Sequence, residues 1–89
     1  MNAYKYVKGA VGRRKKWIDT NFKIGKPCSD CGVCYPPYVM DFDHLPGTNK
    51  QFGIGSGVLR NGKKKLALEI SKCELVCANC HRERSHRRQ

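Results

Sequence analysis

Two short stretches, Cys28-Ser-Asp-Cys31-Gly32 and Cys77-Ala-Asn-Cys80-His81, decide how this chain of 89 residues folds. In each stretch two residues separate a pair of cysteines, and one tight turn carries both sulfurs to the same side. Gly32 suits such a turn. Four thiolates around one zinc ion form a closed tetrahedral site, which is structural rather than catalytic. The pattern therefore predicts a structural zinc ion bound by Cys28, Cys31, Cys77 and Cys80.

Other residues near the two pairs offer alternative ligands. Cys34 and Cys73 each lie close to a pair, and His81 could replace Cys80. We expect Cys73 to pack in the core beneath a helix and Cys34 to be a free thiol, because neither forms a pair with this spacing. Residues 1–14 contain no apolar run typical of a signal peptide, which favours a reducing cytosol over disulfide formation.

The charge of the chain points to an anionic partner. Eighteen Lys and Arg residues against seven Asp and Glu give a net charge of +11. A zinc ion with four thiolates lowers this to about +9, which is still strongly basic. Nucleic acid is the leading partner and an anionic membrane surface a distant second. No stretch approaches the ~20 apolar residues of a membrane span.

The N-terminal segment, residues 1–25, is the most basic part of the chain. We expect a short helix over 13–23 with Trp17 and Ile18 facing inward, because Gly9 and Gly12 disfavour helix before it. Gly25 is expected to end this helix. The basic run is interpreted as a phosphate-contacting surface, with an ordinary solvated face as the alternative. It consists of Arg13, Arg14, Lys15 and Lys16.

Residues 26–89 are expected to form the rest of a single domain spanning 1–89. Alternation predicts a strand over 38–44, with Asp41 and Asp43 on one side. The glycine-rich stretch 47–62 is expected to be a long loop. A helix over 63–72 follows, with Leu66, Ile70 and Cys73 on its buried face, then a strand over 74–76. A final basic helix begins at Asn79 or Cys80 and runs through Arg88.

Asp43, His44 and His81 form the candidate catalytic set. The two cysteine pairs are expected to bring them together, although 36 residues separate the two histidines. A neutral imidazole suits general-base chemistry near pH 7. A carboxylate and an imidazole can hold a divalent cation while leaving positions open for a phosphate oxygen and water. Magnesium or manganese fits such a site, and nickel, cobalt or zinc is plausible with a histidine ligand.

Three motifs in order resemble the HNH endonuclease family, whose fold is a ββα-metal finger. They cover roughly residues 26–86 and read Cys28-Ser-Asp-Cys31-Gly, Met40-Asp-Phe-Asp43-His44-Leu-Pro46, and Cys73-Glu-Leu-Val-Cys77-Ala-Asn-Cys80-His81-Arg82. The resemblance implies that His44 is the general base, that Asp43 and His81 bind the catalytic metal, and that the four paired cysteines hold zinc. It also suggests a phage or bacterial source, a location in the host cytoplasm, and packaging partners such as a terminase or portal.

One departure from the family pattern concerns the middle residue of the motif. The family often has an Asn before the second cysteine pair that helps to orient the catalytic histidine. Here that region reads Ser71-Lys72-Cys73, and we do not expect Asn79 to take the role. Asp41 could hydrogen-bond to one of the metal ligands, or it could be an ordinary solvated side chain. His86 lies about 140° around the helix from His81 and should not share the metal.

These observations predict a small α+β protein: a zinc-stapled ββα-metal finger with flanking N-terminal and middle helices. The expected function is metal-dependent endonucleolytic cleavage of DNA, nicking duplex DNA with low sequence specificity. The alternatives are a zinc-dependent nucleic-acid-binding module without activity and, against the charge, a protein-interaction module. Further phosphate contacts are expected from Lys50, Arg82 and Arg84.

Overall fold

The fold is that of a computed structural model, which describes residues 9–89. Within this range the chain forms four α-helices and a two-stranded antiparallel sheet. The first eight residues of the predicted basic segment lie outside the described residues. The elements in chain order are α1 (Gly9–Ile18), β1 (Met40–His44), α2 (Ile54–Gly57), α3 (Lys63–Ile70), β2 (Cys73–Cys77) and α4 (Ala78–Arg87).

Helix α1 begins earlier than the sequence predicts. It includes Gly9 and Gly12, and its last residue is Ile18, after which a π-helical turn runs over Asp19–Lys23. The expectation that Gly9 and Gly12 keep the helix from starting before residue 13 was wrong. A helical glycine costs about 1 kcal/mol relative to alanine, and the burial of Gly12 in the packed helix outweighs that preference. Gly25, with φ of 74°, ends the segment as expected.

The sheet joins the two regions that carry the sequence motifs. β1 and β2 pair antiparallel, with Met40 opposite Cys77 and His44 opposite Cys73. β1 is shorter than the predicted strand, since a 3₁₀ turn over Pro37–Val39 precedes it. The register brings the end of β1, where His44 lies, next to the start of β2, and it brings the start of β1 next to the second cysteine pair.

The apolar core is divided into two clusters. The larger one buries side chains from α1, α2 and α3 and has Phe42 and Cys73 packed against it; its buried members are Ile18, Ile54, Val58, Leu66 and Ile70. The smaller one surrounds the cysteine pairs and contains Cys28, Met40, Val76 and Cys77. Two small clusters are what a short chain can build, and such chains often recruit a metal for additional stability.

The glycine-rich stretch 47–62 is not loop throughout. It contains the short helix α2, and Ile54 and Val58 from this stretch are buried in the larger cluster. Gly57 lies so close to the Phe52 ring that a Cβ atom there would overlap it. The sequence prediction of a long loop therefore missed a segment that contributes to the core.

Helix α4 starts directly from the second cysteine pair. Cys77 caps the helix, because its Sγ accepts a hydrogen bond of 3.4 Å from the backbone amide of Cys80. The helix packs against both strands, which fixes the position of His81 over β1. Of the helices in residues 9–89, none is long and apolar enough to span a membrane.

Candidate functional site

The two cysteine pairs converge on one point. The sulfur atoms of Cys28, Cys31, Cys77 and Cys80 all lie within 4.8 Å of one another. Four thiolates at the Zn–S distance of about 2.3 Å would have sulfurs about 3.8 Å apart. The cluster can therefore hold a metal ion, and its size and its all-sulfur ligands fit zinc.

Backbone contacts fix the first cysteine pair against β2. Gly32, with φ of 76°, provides the turn, and its amide donates to the Cys28 carbonyl over 2.9 Å. The amide of Ser29 donates to the Leu75 carbonyl over 2.9 Å, and that of Cys77 donates to the Cys28 sulfur over 3.3 Å. The two pairs are thus held together by the backbone as well as by any ion between them.

The four sulfurs are too close together for all of them to be negatively charged without a cation. Burial opposes a thiolate at Cys28, but hydrogen bonds from the amides of Cys31, Cys77 and Asp30 outweigh it and lower its pKa to about 6. The hydrogen bond with Cys77 and burial raise the pKa of Cys80 to about 12. Several negative sulfurs cannot coexist this closely without a cation, and a divalent metal ion would supply one.

His81 lies between two carboxylates of β1. Its Nδ1 is 3.1 Å from Oδ2 of Asp41, and its Nε2 is 3.7 Å from Oδ1 of Asp43. Asp41 and Asp43 share one face of the strand, as the alternation predicts. Two atoms that each lie about 2.1 Å from one ion can be at most about 4.2 Å apart. The pair of Asp43 Oδ1 and His81 Nε2 therefore has a spacing that a single divalent ion can bridge.

The carboxylate of Asp43 is also held by two arginines of the C-terminal region. Arg88 donates to both of its oxygens, over 2.8 and 2.9 Å, and Arg84 donates to Oδ2 over 2.8 Å. Hydrogen bonds from Arg88, opposed by burial and joined by those from Arg84, lower the pKa of the Asp43 carboxyl. A metal ion bound at Oδ1 of Asp43 would either share this oxygen with the Arg88 guanidinium or displace the guanidinium.

Arg84 links this carboxylate to the first cysteine pair. Its guanidinium donates to both oxygens of Asp30, over 2.7 and 2.6 Å, and it is 2.9 Å from a Glu74 oxygen. Only 11% of the side chain is exposed. The expectation that Arg84 contacts phosphate does not fit this geometry, because carboxylates within the protein already surround its guanidinium. The sequence predicted a basic outer face of α4 and gave no sign of these acidic partners.

His44 forms a contact that sequence reasoning missed. Its Nε2 is 2.8 Å from Oε2 of Glu69, a carboxylate of α3 that is 2% exposed. The signal was present in the spacing: Glu69 stands beside Ile70 and three residues after Leu66, on the helix face that the apolar pattern assigns to the core. A buried carboxylate is costly unless another group hydrogen-bonds to it or pairs with its charge. The position of Glu69 on a buried face therefore indicates a partner elsewhere in the fold.

Other predicted side chains occupy varied places. Lys15 and Lys50 line a cleft of about 780 Å³, together with Asp43, His44 and His81. Arg14 donates through Nε to the Val58 carbonyl over 2.8 Å. Arg13, Lys16 and Arg82 are exposed on the surface.

The two extra cysteines and His86 lie outside the four-sulfur cluster. Cys34 is exposed and lies outside the four-sulfur cluster. Cys73 packs against the larger core cluster, where burial and the nearby charges of Glu69 and Asp43 raise its pKa to about 11. His86 is exposed on α4 and does not line the cleft that contains His81.

Comparison of the chain with protein-family models, with curated proteins and with solved structures found no match. The function is therefore argued from the residues and their geometry.

Proposed function

We propose that this protein is a metal-dependent endonuclease of the HNH type, built on a zinc-stapled ββα-metal finger, which hydrolyses phosphodiester bonds of DNA. The observation that carries the proposal is the convergence of Asp43, His44 and His81 on one cleft that Lys15 and Lys50 also line. A nucleic-acid-binding module needs the lysines. It has no need of a histidine at the end of β1 or of a carboxylate and imidazole 3.7 Å apart beside it.

The proposed division of roles assigns one task to each group. Asp43 and His81 would hold the divalent ion, with Asp41 accepting from His81 Nδ1 so that Nε2 keeps its lone pair for the metal. When bound, the ion would neutralise charge on the phosphate and on the leaving oxygen. His44 takes the proton from the attacking water, and Lys15 and Lys50 position the DNA backbone without reading its sequence.

Zinc in the four-cysteine cluster has a structural role in this proposal. The cluster ties the turn at residues 28–32 to the start of α4, and α4 carries His81. Cys80 immediately precedes His81, so a closed zinc site fixes the histidine relative to β1. Removing the zinc ion would unfold the smaller core cluster. It would also separate Asp43 from His81, the proposed ligands of the catalytic ion.

The test is a nicking assay on supercoiled plasmid with magnesium, manganese or EDTA, comparing wild type with His44→Ala and His86→Ala. We expect metal-dependent nicking by wild type and by His86→Ala. Loss of a general base lowers the rate by about 10² to 10⁴, so His44→Ala should be slower by that factor. Zinc content and far-UV circular dichroism of each variant show that the fold is retained.

A second candidate function is a zinc-dependent nucleic-acid-binding module without activity. It is favoured by the two ion pairs that Asp43 forms with Arg84 and Arg88. These arginines can neutralise the carboxylate without a metal. Absence of cleavage in every metal, with DNA binding intact, would favour this second function. Equal cleavage by wild type and His44→Ala would exclude the role proposed for His44.

A further inference from the structure

Glu69 is the most deeply buried carboxylate near the proposed catalytic residues. It lies on α3, outside the sequence motifs, and its side chain is 2% exposed. Its Oε2 faces His44 Nε2 at 2.8 Å and accepts from the Gln51 amide over 3.0 Å; its Oε1 accepts from Lys72 Nζ over 2.9 Å. Lys72 also donates to the Asn49 carbonyl over 2.7 Å.

These contacts fix which nitrogen of His44 carries a proton. Burial opposes the charge on Glu69, but hydrogen bonds from Lys72, from the Gln51 amide and from His44 outweigh it and lower its pKa to about 2. An ionised carboxylate only accepts hydrogen bonds. The His44 nitrogen that faces it must therefore be the donor, which leaves Nδ1 as the nitrogen that can accept a proton.

We propose that Glu69 is the positioning residue that fixes the ring orientation and tautomer of His44, the role for which the HNH pattern uses its middle Asn. This inference rests on the proposed function insofar as His44 acts as the base. Glu69 reaches the histidine from α3, whereas the family's Asn lies just before the second cysteine pair. Lys72, which occupies that stretch here, contacts the carboxylate instead of the histidine.

A purely structural role for Glu69 explains the geometry less well. Position 69 faces the core beside Leu66 and Ile70, where an apolar side chain would pack without any burial of charge. Lys72 alone could pair with a carboxylate at the surface. A carboxylate at position 69 can also accept a hydrogen bond from His44 at the edge of the cleft, which an apolar side chain could not do.

The experiment compares wild type with Glu69→Leu, Glu69→Gln and Lys72→Met, each verified for zinc content and fold. Two kinds of measurement are made: nicking kinetics in manganese, which give kcat and KM, and ¹⁵N NMR shifts of the His44 ring at a pH where the ring is neutral. Glu69→Leu removes the acceptor. Glu69→Gln keeps an oxygen that can accept from Nε2. Lys72→Met removes the other charged partner of Glu69 without touching His44.

We expect Glu69→Leu to lower kcat by about 10- to 100-fold, the effect of a small misplacement of a catalytic group, with KM unchanged. The Nε2–H tautomer should predominate in wild type. Glu69→Leu should instead show a mixture of the two neutral tautomers. Glu69→Gln should recover most of both quantities, and Lys72→Met should alter neither by more than a few-fold.

Three results would overturn the inference. They are an unchanged His44 tautomer in Glu69→Leu, a change in KM alone, and an equal loss of kcat in Lys72→Met with the His44 tautomer unchanged, which would indicate a general effect on packing. If wild type does not nick DNA, the proposed function fails. The NMR comparison then still decides whether Glu69 holds the His44 ring.

Discussion

The four-cysteine cluster and the Asp43–His81 pair differ in what surrounds them. The cysteine cluster offers four sulfurs within 4.8 Å, whose partners are backbone amides and one another. Asp43 and His81 offer two ligand atoms, and Arg84 and Arg88 already neutralise the carboxylate. Cationic side chains thus neutralise Asp43, whereas the cysteine sulfurs are approached by backbone amides.

This difference predicts different consequences of metal loss. A cluster of four close sulfurs is unfavourable without an ion, so its metal should be part of the folded state. A carboxylate held by two guanidinium groups is stable without one, so metal binding there should affect activity and leave the fold intact. We therefore expect a structural metal at the four cysteines and, under the proposed function, an exchangeable one at Asp43 and His81.

Removal of the metal from the cysteine cluster should have the largest effect. Zinc binding in small peptide sites contributes roughly 10 to 16 kcal/mol, which reaches or exceeds the 5 to 15 kcal/mol stability of a typical domain. Stripping with a strong chelator should therefore unfold the protein, as measured by far-UV circular dichroism. Dialysis that removes only weakly bound ions should leave the spectrum unchanged. Cooperative thermal unfolding at a verified metal content near zero would contradict this prediction.

Exchange of single cysteines tests the ligand set. Loss of a residue that hydrogen-bonds to a metal ligand typically weakens metal binding about 10- to 100-fold. Cys31→Ser should weaken zinc binding by more than this, because it removes a ligand itself. Cys34→Ser is the matched control, being exposed and outside the cluster, and should bind zinc as wild type does. Competition with a chromophoric chelator measures both. Equal weakening in the two variants would mean that Cys34 takes part in the site.

The arginine contacts of Asp43 should have an intermediate effect on stability. Arg84→Met leaves Asp43 without one partner and Asp30 without its bidentate contact, and breaking a buried ion pair costs about 3 kcal/mol or more. Arg88→Met, from a side chain 40% exposed, should cost clearly less than Arg84→Met, because solvent screens its contacts. Denaturant unfolding of the zinc-loaded variants gives both values. A smaller loss for Arg84→Met than for Arg88→Met would show that the link to Asp30 contributes little.

The smallest effect on stability is expected at Asp41. Its side chain is 43% exposed, so Asp41→Ala should change the free energy of unfolding by no more than about 1 kcal/mol. The same variant removes the acceptor behind His81 and should weaken manganese binding by about 10-fold. Calorimetric titration with manganese separates the two effects. Unchanged manganese affinity would leave Asp41 as a solvated residue, the alternative that the sequence left open.

The candidate site was only partly predictable from the sequence. The residues expected to converge, Asp43, His44 and His81, line one cleft, because β1 pairs with β2 and α4 follows directly after Cys77. Glu69 was missed because its partner lies 25 residues away along the chain. Arg84 was read as a phosphate contact because local sequence shows its charge and not the carboxylates that the fold places around it.

The spacing within each cysteine pair and the periodicity of α3 were readable in the sequence, because each depends on residues close together in the chain. The excess of positive charge follows from composition alone. Tertiary structure decided where α1 begins, since burial outweighs the low helix propensity of glycine. It also decided which charges are neutralised within the protein and which face the cleft. Those outcomes depend on distances between residues far apart in sequence, and electrostatic interactions follow distance and burial in the folded chain.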